Sequence, residues 1–466
     1  MISPRDNVDT ENEKASSIEI NFNFSGEDFG DRTFTDQTQG TIFSMYTFFS
    51  ISGKLIILYI AAYSILGASL RVLLSRLFGR DCEHPDIYSD FISKLSLCVT
   101  SSGRTEQRGG ALFLDLPANI FGSFLIGMLT PRYKQIPAIP WLKSSHQCQQ
   151  NLDMHIALRV GFCGSLTTFA SWNTQMVVMM DGYNTVLGSQ VVSSLFGYSL
   201  GMVWSLMSFY VGQHTSIWLT LWRNPHLVDN LRDGQKYSKQ FTQQTLETQK
   251  QNFSFDTSLS EQNEEQGTIQ KKNSKDLPYL IEFATLGKAR TKEATNSVLN
   301  CINNIFHGKY SPFLFLSILI FIYVYGDSVW GSKFCQQLWI DSIFAPFGTL
   351  LRWKLSSLNG AILQNYRKFK WIPWGTLLTN VMGSIISVLC VTVLTINGDS
   401  STTKVLVLGG LKTGFAGCLS TVSTFVKETA YLSERYRDKT RAYLYCIGTI
   451  LVCSSLSVLV YSPIVR

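Results

Sequence analysis

The stretch GFCGSLTTF (Gly161–Phe169) returns late in the chain as GFAGCLSTV (Gly414–Val422). Each copy lies in an apolar segment of about 20 residues, the length that crosses a bilayer core. Two further pairs keep the same order. GASLR (Gly67–Arg71) pairs with GTLLR (Gly348–Arg352), and PANIFGS (Pro117–Ser123) pairs with LTNVMGS (Leu378–Ser384). Shared apolar composition does not place three matches in one order. The chain therefore carries two copies of one unit.

Working outward, the apolar segments predict nine spans, at 55–77, 112–130, 156–180, 186–211, 312–325, 340–358, 372–396, 405–431 and 443–460. Four belong to each copy. The fifth, with the core FLFLSILIFIYVY and no polar residue but Ser317, stands between them. Four spans plus one turn the second copy upside down, an inverted repeat whose sites lie near the midplane at the repeat interface. The expected fold is thus an all-α membrane protein, two inverted four-helix modules joined by a single linking transmembrane helix. The expected divisions are a disordered cytoplasmic tail (1–50), a first module (51–213) and a polar cytoplasmic loop (214–310). A linking helix (311–330) and a second module (335–466) follow.

The chain is 45% hydrophobic and 16% charged, so averages decide little and distribution decides. The formal charge of +7 is spread over loops rather than along a stripe, which argues against nucleic acid and for orientation charge. Arg132, Lys134, Lys143, Lys354, Arg367, Lys368, Lys370, Arg435, Arg437, Lys439 and Arg441 fall on one side of the nine-span scheme. That places the N-terminus in the cytoplasm and the C-terminus outside. The loop carrying Arg80, Lys94, Arg104 and Arg108 runs against the rule. The first 40 residues are acidic and polar, unlike a cleavable signal. Ten cysteines show neither a CxxC pair nor metal-ligand spacing, and those in apolar segments read as small buried hydrophobes. No HExxH, P-loop or GxSxG motif occurs, and the six histidines do not cluster. An enzyme is not expected.

Asn119 and Asn380 hold the same place in the two copies, each followed by Gly and Ser. A mid-membrane amide serves either an interhelical hydrogen bond on a small-residue face or a polar path. Its doubling favours the path. Gly161, Gly164, Thr167 and Thr168, with Gly414, Gly417, Ser420 and Thr421, fit a tight crossing or a helix break whose freed carbonyls hold a small cation. Phe169 and Phe425 lie beside them. The edge of an aromatic ring is electropositive, so ring edges and an amide N–H suit a small hard anion. Arg71 and Arg352 either snorkel to the interface or flank an anion vestibule. Weaker hydroxyl stripes run through Ser189, Ser193 and Ser205, and through Thr449, Cys453 and Ser457.

Taken together, these residues resemble the fluoride channel (fluoride exporter) family in its fused two-module eukaryotic form, typical of fungi and plants. The resemblance covers both modules. It implies a passive, fluoride-selective channel in the plasma membrane that confers fluoride resistance, with fluoride and the bilayer as partners and a single chain as the working unit. It implies that Asn119 and Asn380 line the fluoride path with Thr168 and Thr421. It further implies a box of third-helix phenylalanines shared by the modules, a carboxylate three residues beyond, and a structural sodium ion at Gly164, Thr167, Gly417 and Ser420. The copies depart from the pattern in opposite ways. The first keeps Phe169 but has Trp172 and Gln175; the second has Val422 but keeps Phe425 and Glu428. One pore would then hold Phe169 with Phe425, and a vestigial one Trp172 with Val422 and Gln175. A coupled small-ion transporter on the same repeat, or a membrane scaffold, are the alternatives. The former needs matched protonatable residues, and Asp115 and Glu428 do not match.

Overall fold

In a computed structural model, the described residues are 51–79, 97–102, 110–132, 136–142, 147–181, 190–223, 317, 333–359, 369, 371–396, 402–435 and 439–465. The tail before Ile51, the polar stretch after Arg223 and the linking helix expected at 311–330 lie outside them, save for Ser317. All regular structure among the described residues is helical.

Ten helical elements position the site. In the first copy they are α1 (Ile51–Phe78), α2 (Leu116–Met128), α3 (Leu152–Leu166), α4 (Phe169–Asp181) and α5 (Val191–Arg223). In the second they are α6 (Lys333–Ser356), α7 (Trp374–Ile396), α8 (Thr402–Leu419), α9 (Ser423–Arg435) and α10 (Thr440–Val465). Among the described residues, five stretches are long and apolar enough to cross a membrane: Leu55–Phe78, Val191–Arg223, Trp374–Ile396, Thr403–Arg435 and Thr440–Val465. The protein is therefore a multi-pass, all-α membrane protein.

Several elements differ from the hydropathy reading, among them α3 and α4, expected as one span at 156–180 but not among the five. Helix α2 has 13 residues, about 20 Å, because Pro117 sets its start and Pro131 follows its end. Helix α6 carries Lys333, Asp341, Arg352 and Lys354, which lower its hydropathy. Helix α5 runs on to Arg223, well past residue 211. Its 33 residues make about 50 Å, more than a bilayer core of about 30 Å. The extension carries Trp218 stacked on Trp222 at 6.2 Å, exposed rings suited to a membrane interface.

The segments expected as the third span of each copy are both broken. In α3 the turn Ala157–Cys163 is π-helical, and in α8 so is Leu411–Ala416; each ends in one α-helical turn at Leu166 or Leu419. Thr167 and Ser420 are then extended, with ψ of 147° and 160°, before α4 and α9 begin. Such π turns widen a helix and recur at functional positions.

The repeated glycines explain the packing at the breaks. A Cβ on Gly67 would collide with the Phe162 carbonyl, and one on Gly348 with the Phe415 carbonyl. The first helix of each copy thus lies directly on the π turn of its own third span. Between the copies, Ala68 of α1, Ala345 of α6 and Cys418 of α8 form a buried cluster of small side chains. Of the described cysteines, Cys163, Cys390, Cys418 and Cys453 are buried free thiols, whereas Cys98 is disulfide-bonded.

Candidate functional site

The two breaks lie against each other, and their hydrogen bonds match pairwise. Asn119 Nδ2 donates to the Thr168 carbonyl (3.1 Å), and its Oδ1 accepts from the Thr168 N–H (2.8 Å). Asn380 does the same with Thr421, at 3.3 and 2.8 Å. Each asparagine therefore replaces the backbone partners that the break removes. An amide nitrogen carries two hydrogens. One is spent on the carbonyl, and no second protein partner of either Nδ2 occurs among the described residues. Four residues on, one turn along the same face, the Ser123 and Ser384 hydroxyls are buried without a hydrogen-bond partner. The Cys453 thiol lies beside Ser384.

Across the crossing, each break caps the other copy. Thr167 Oγ1 accepts from the Val422 and Ser423 N–H groups at the start of α9, at 3.2 and 3.1 Å. Ser420 Oγ accepts from the Ala170 N–H at the start of α4 (2.9 Å). These are N-caps supplied in trans, satisfying donors that open every helix.

The expected box residues come together in part. Phe169 and Phe425, one from each copy, meet edge to face with centroids 5.8 Å apart. Trp172 contacts Phe169 at 5.4 Å and stacks on Phe113 at 5.3 Å, while Phe425 touches Tyr445 at 5.3 Å. The result is one row, Phe113–Trp172–Phe169–Phe425–Tyr445. Trp172 and Val422 are both fully buried, and the Trp172 Nε1 has no partner. The indole fills the space left by Gly201, where a Cβ would meet its ring at 2.5 Å.

Gln175 and Glu428 occupy matching positions with opposite surroundings. The Gln175 side chain accepts from Leu114 N (3.3 Å) and donates to the carbonyls of Ser101 (2.7 Å) and Gly110 (3.1 Å). The Glu428 carboxylate accepts from Thr376 Oγ1 (2.7 Å), Tyr445 Oη (2.7 Å) and Asn359 Nδ2 (3.0 Å). Asn359 in turn accepts from the Gly375 and Thr376 N–H groups at the start of α7. The acid of the first copy sits instead at Asp115, the place that Thr376 takes in the second, and receives the Ser171 hydroxyl at 2.5 Å. The two acids have exchanged positions. Asn359 and Ser171 had no distinguishing sequence signal, since each acts through a partner distant in the chain.

Arg71 and Arg352 take an arrangement that neither sequence reading anticipates. They are 1% and 5% exposed, so they do not snorkel. Their guanidiniums donate to backbone carbonyls of the two broken helices. This bears on the sodium ion implied at Gly164, Thr167, Gly417 and Ser420. The Gly164 and Ser420 carbonyls already accept from Arg352 Nη1, at 2.6 and 3.3 Å, and the Thr167 and Ser420 hydroxyls serve as caps. The oxygen set therefore does not fit a further cation. No group of His, Cys, Asp and Glu suited to a metal occurs among the described residues. Of the hydroxyl stripes, Ser457 accepts from Asn173 Nδ2 (2.9 Å), Ser205 is buried without a partner, and Ser189 lies outside the described residues.

Comparison with known proteins places the sequence in a family. Residues 58–212 and 339–461, more than half of the chain, match the family described as CrcB-like protein, Camphor Resistance (CrcB). A stretch of 125 residues is 36% identical to Fluoride export protein 1 of Candida albicans, covering 24% of this chain and 30% of that protein. A stretch of 104 residues is 34% identical to Fluoride export protein 1 of Neurospora crassa, covering 22% and 18%. The chain thus spans less than a third of the length of these curated relatives. No solved structure matches.

Proposed function

Because the chain belongs to the CrcB-like protein family, we propose that it is a passive fluoride channel that carries fluoride out of the cytoplasm and confers fluoride resistance. The observation that carries this reading is the meeting of Phe169 and Phe425 beside two splinted helix breaks, each with a spare asparagine N–H. Ring edges and amide hydrogens solvate a small hard anion without the tight hold of a fixed cation. The buried hydroxyls of Ser123 and Ser384 extend the polar lining one turn along α2 and α7. The names of the two fungal relatives point the same way.

Hydrogen fluoride is a weak acid that crosses membranes neutral and dissociates inside, where the anion is trapped. An inside-negative potential drives an anion outward by about 2.3 kcal/mol per 100 mV. A selective passive pore is therefore sufficient for export. The exchange of positions between Asp115 and Glu428 speaks against a transporter that cycles matched protonatable groups.

The finer architecture belongs to the same proposal. Two inverted modules, joined by the helix at 311–330, work as a single chain in the plasma membrane, with a cytoplasmic N-terminus and an outside C-terminus. The Cys98 disulfide, after α1, supports that orientation, because disulfides persist on the oxidising side. One pore, at Phe169 and Phe425, conducts. The indole of Trp172, packed among Phe113, Tyr198 and Gly201, leaves the other vestigial.

The test is reconstitution of the full chain into fluoride-loaded liposomes with a fluoride electrode outside. Fluoride release on adding a potassium ionophore, with no chloride release under the same gradient, is the expected result. Absence of fluoride release from liposomes shown to contain folded protein would remove the proposal.

A further inference from the structure

The helices α3 and α8 both end in the interior of the protein, at the fully buried Leu166 and Leu419. A helix C-terminus leaves carbonyls without partners and carries partial negative charge. Such carbonyls must be satisfied within the protein, since lipid supplies no donors. Here the donors are two arginines. Arg352 Nη1 donates to the Gly164 carbonyl (2.6 Å) and the Ser420 carbonyl (3.3 Å), and Nη2 donates to the Val160 carbonyl (2.5 Å). Arg71 Nη1 donates to the Ser165 carbonyl (2.9 Å) and Nη2 to the Thr413 carbonyl (2.5 Å), with Cys418 Sγ at 3.7 Å.

The pattern is reciprocal. Val160 and Thr413 hold the same place in the two copies, one residue before Gly161 and Gly414. Each arginine therefore reaches into the π turn of the opposite copy and also holds a carbonyl of its own. Glycine at 164 and 417 makes room: a Cβ on Gly164 would strike the Arg352 guanidinium, and one on Gly417 the Arg71 guanidinium at 2.7 Å. No carboxylate pairs with either arginine among the described residues, so the carbonyls carry the whole compensation.

We propose that the guanidiniums of Arg71 and Arg352 are the resident cations of this crossing, standing where a bound sodium ion would otherwise join the two broken helices. Two of the oxygens that such an ion would need already accept from Arg352, and both guanidiniums bring positive charge to the same crossing. The crossing is consequently closed by the chain itself and is indifferent to sodium. This inference deepens the central site of the channel reading, and its main readout does not require conduction.

The test uses the purified full-length chain in detergent, followed by tryptophan fluorescence on heating. Sodium is varied at constant ionic strength against N-methylglucamine. The expected midpoint of unfolding is the same at every sodium concentration. A saturable rise with sodium, absent with potassium, would overturn the proposal. Arg352→Ala frees the Gly164 and Ser420 carbonyls, so it is expected to unfold at lower temperature and to gain a saturable response to sodium. Where that variant does not fold, the sodium titration of the unsubstituted chain decides alone. Fluoride release from liposomes with and without sodium is the second readout, expected to be equal. A chain that unfolds without regard to sodium yet passes no fluoride would sink the channel reading and leave this one standing.

Discussion

Thr167 of the first copy caps the helix that begins at Ser423 in the second, accepting the Ser423 N–H at 3.1 Å. Ser420 returns the favour at Ala170, so the helix after each break is capped by the other copy. Removing the hydroxyl with Thr167→Val should cost about 1–2 kcal/mol of stability, as loss of a cap does. Thr167→Ser should restore most of it. Thermal unfolding of the two variants checks this, and equal midpoints for Val and Ser would contradict the trans cap.

The box predicts an unequal response to truncation. Phe425→Ala and Phe169→Ala should each abolish fluoride release from liposomes, because they remove one member of the edge-to-face pair. Trp172→Ala and Val422→Ala should retain release, though Trp172→Ala leaves a cavity and should cost about 3–5 kcal/mol. The reverse pattern of activity would place the working pore on the other side.

The carboxylate of Glu428 receives three donors, from Thr376, Tyr445 and Asn359. Glu428→Gln replaces one acceptor oxygen with a donor that faces hydroxyls and an amide. It should destabilise by about 1–3 kcal/mol, the cost of an unmet buried group. Gln175→Glu should be similarly damaging, since Nε2 alone satisfies contacts to the Ser101 and Gly110 carbonyls. A unit in which both positions tolerate either residue would show that their matched places matter more than their surroundings.

Orientation can be read from Cys98. In intact cells, an impermeant reductant followed by an impermeant maleimide should label the chain, and the label should fall in Cys98→Ser. Labelling that appears only after lysis would invert the assigned topology.

The repeat, the two breaks and the asparagine–phenylalanine set were legible because each is a local signal written twice. GFCGSLTTF could be compared with GFAGCLSTV position by position. The extension of α5 to Arg223 was not legible, because hydropathy measures transfer into lipid and falls where a helix leaves it. The shortness of α2 was written in Pro117 and Pro131, but apolar residues on either side masked it. The arginines were visible as residues and opaque as partners. Their acceptors are backbone carbonyls, which every sequence contains equally. The same holds for Asn359, whose contacts lie at Gly375 and Glu428. Side chains that bind backbone across the fold leave no spacing to read.

The mutual capping at Thr167 and Ser420 also sets what each copy is free to lose. Within this chain the capping positions both keep a hydroxyl, and the latch positions 71 and 352 both keep arginine. The box positions have drifted instead, to Trp172 in one copy and Val422 in the other. Neither copy can be discarded as a spent duplicate, since each supplies the cap and part of the arginine bonding that its twin uses. A truncated chain ending after the first copy would thus be orphaned rather than simplified.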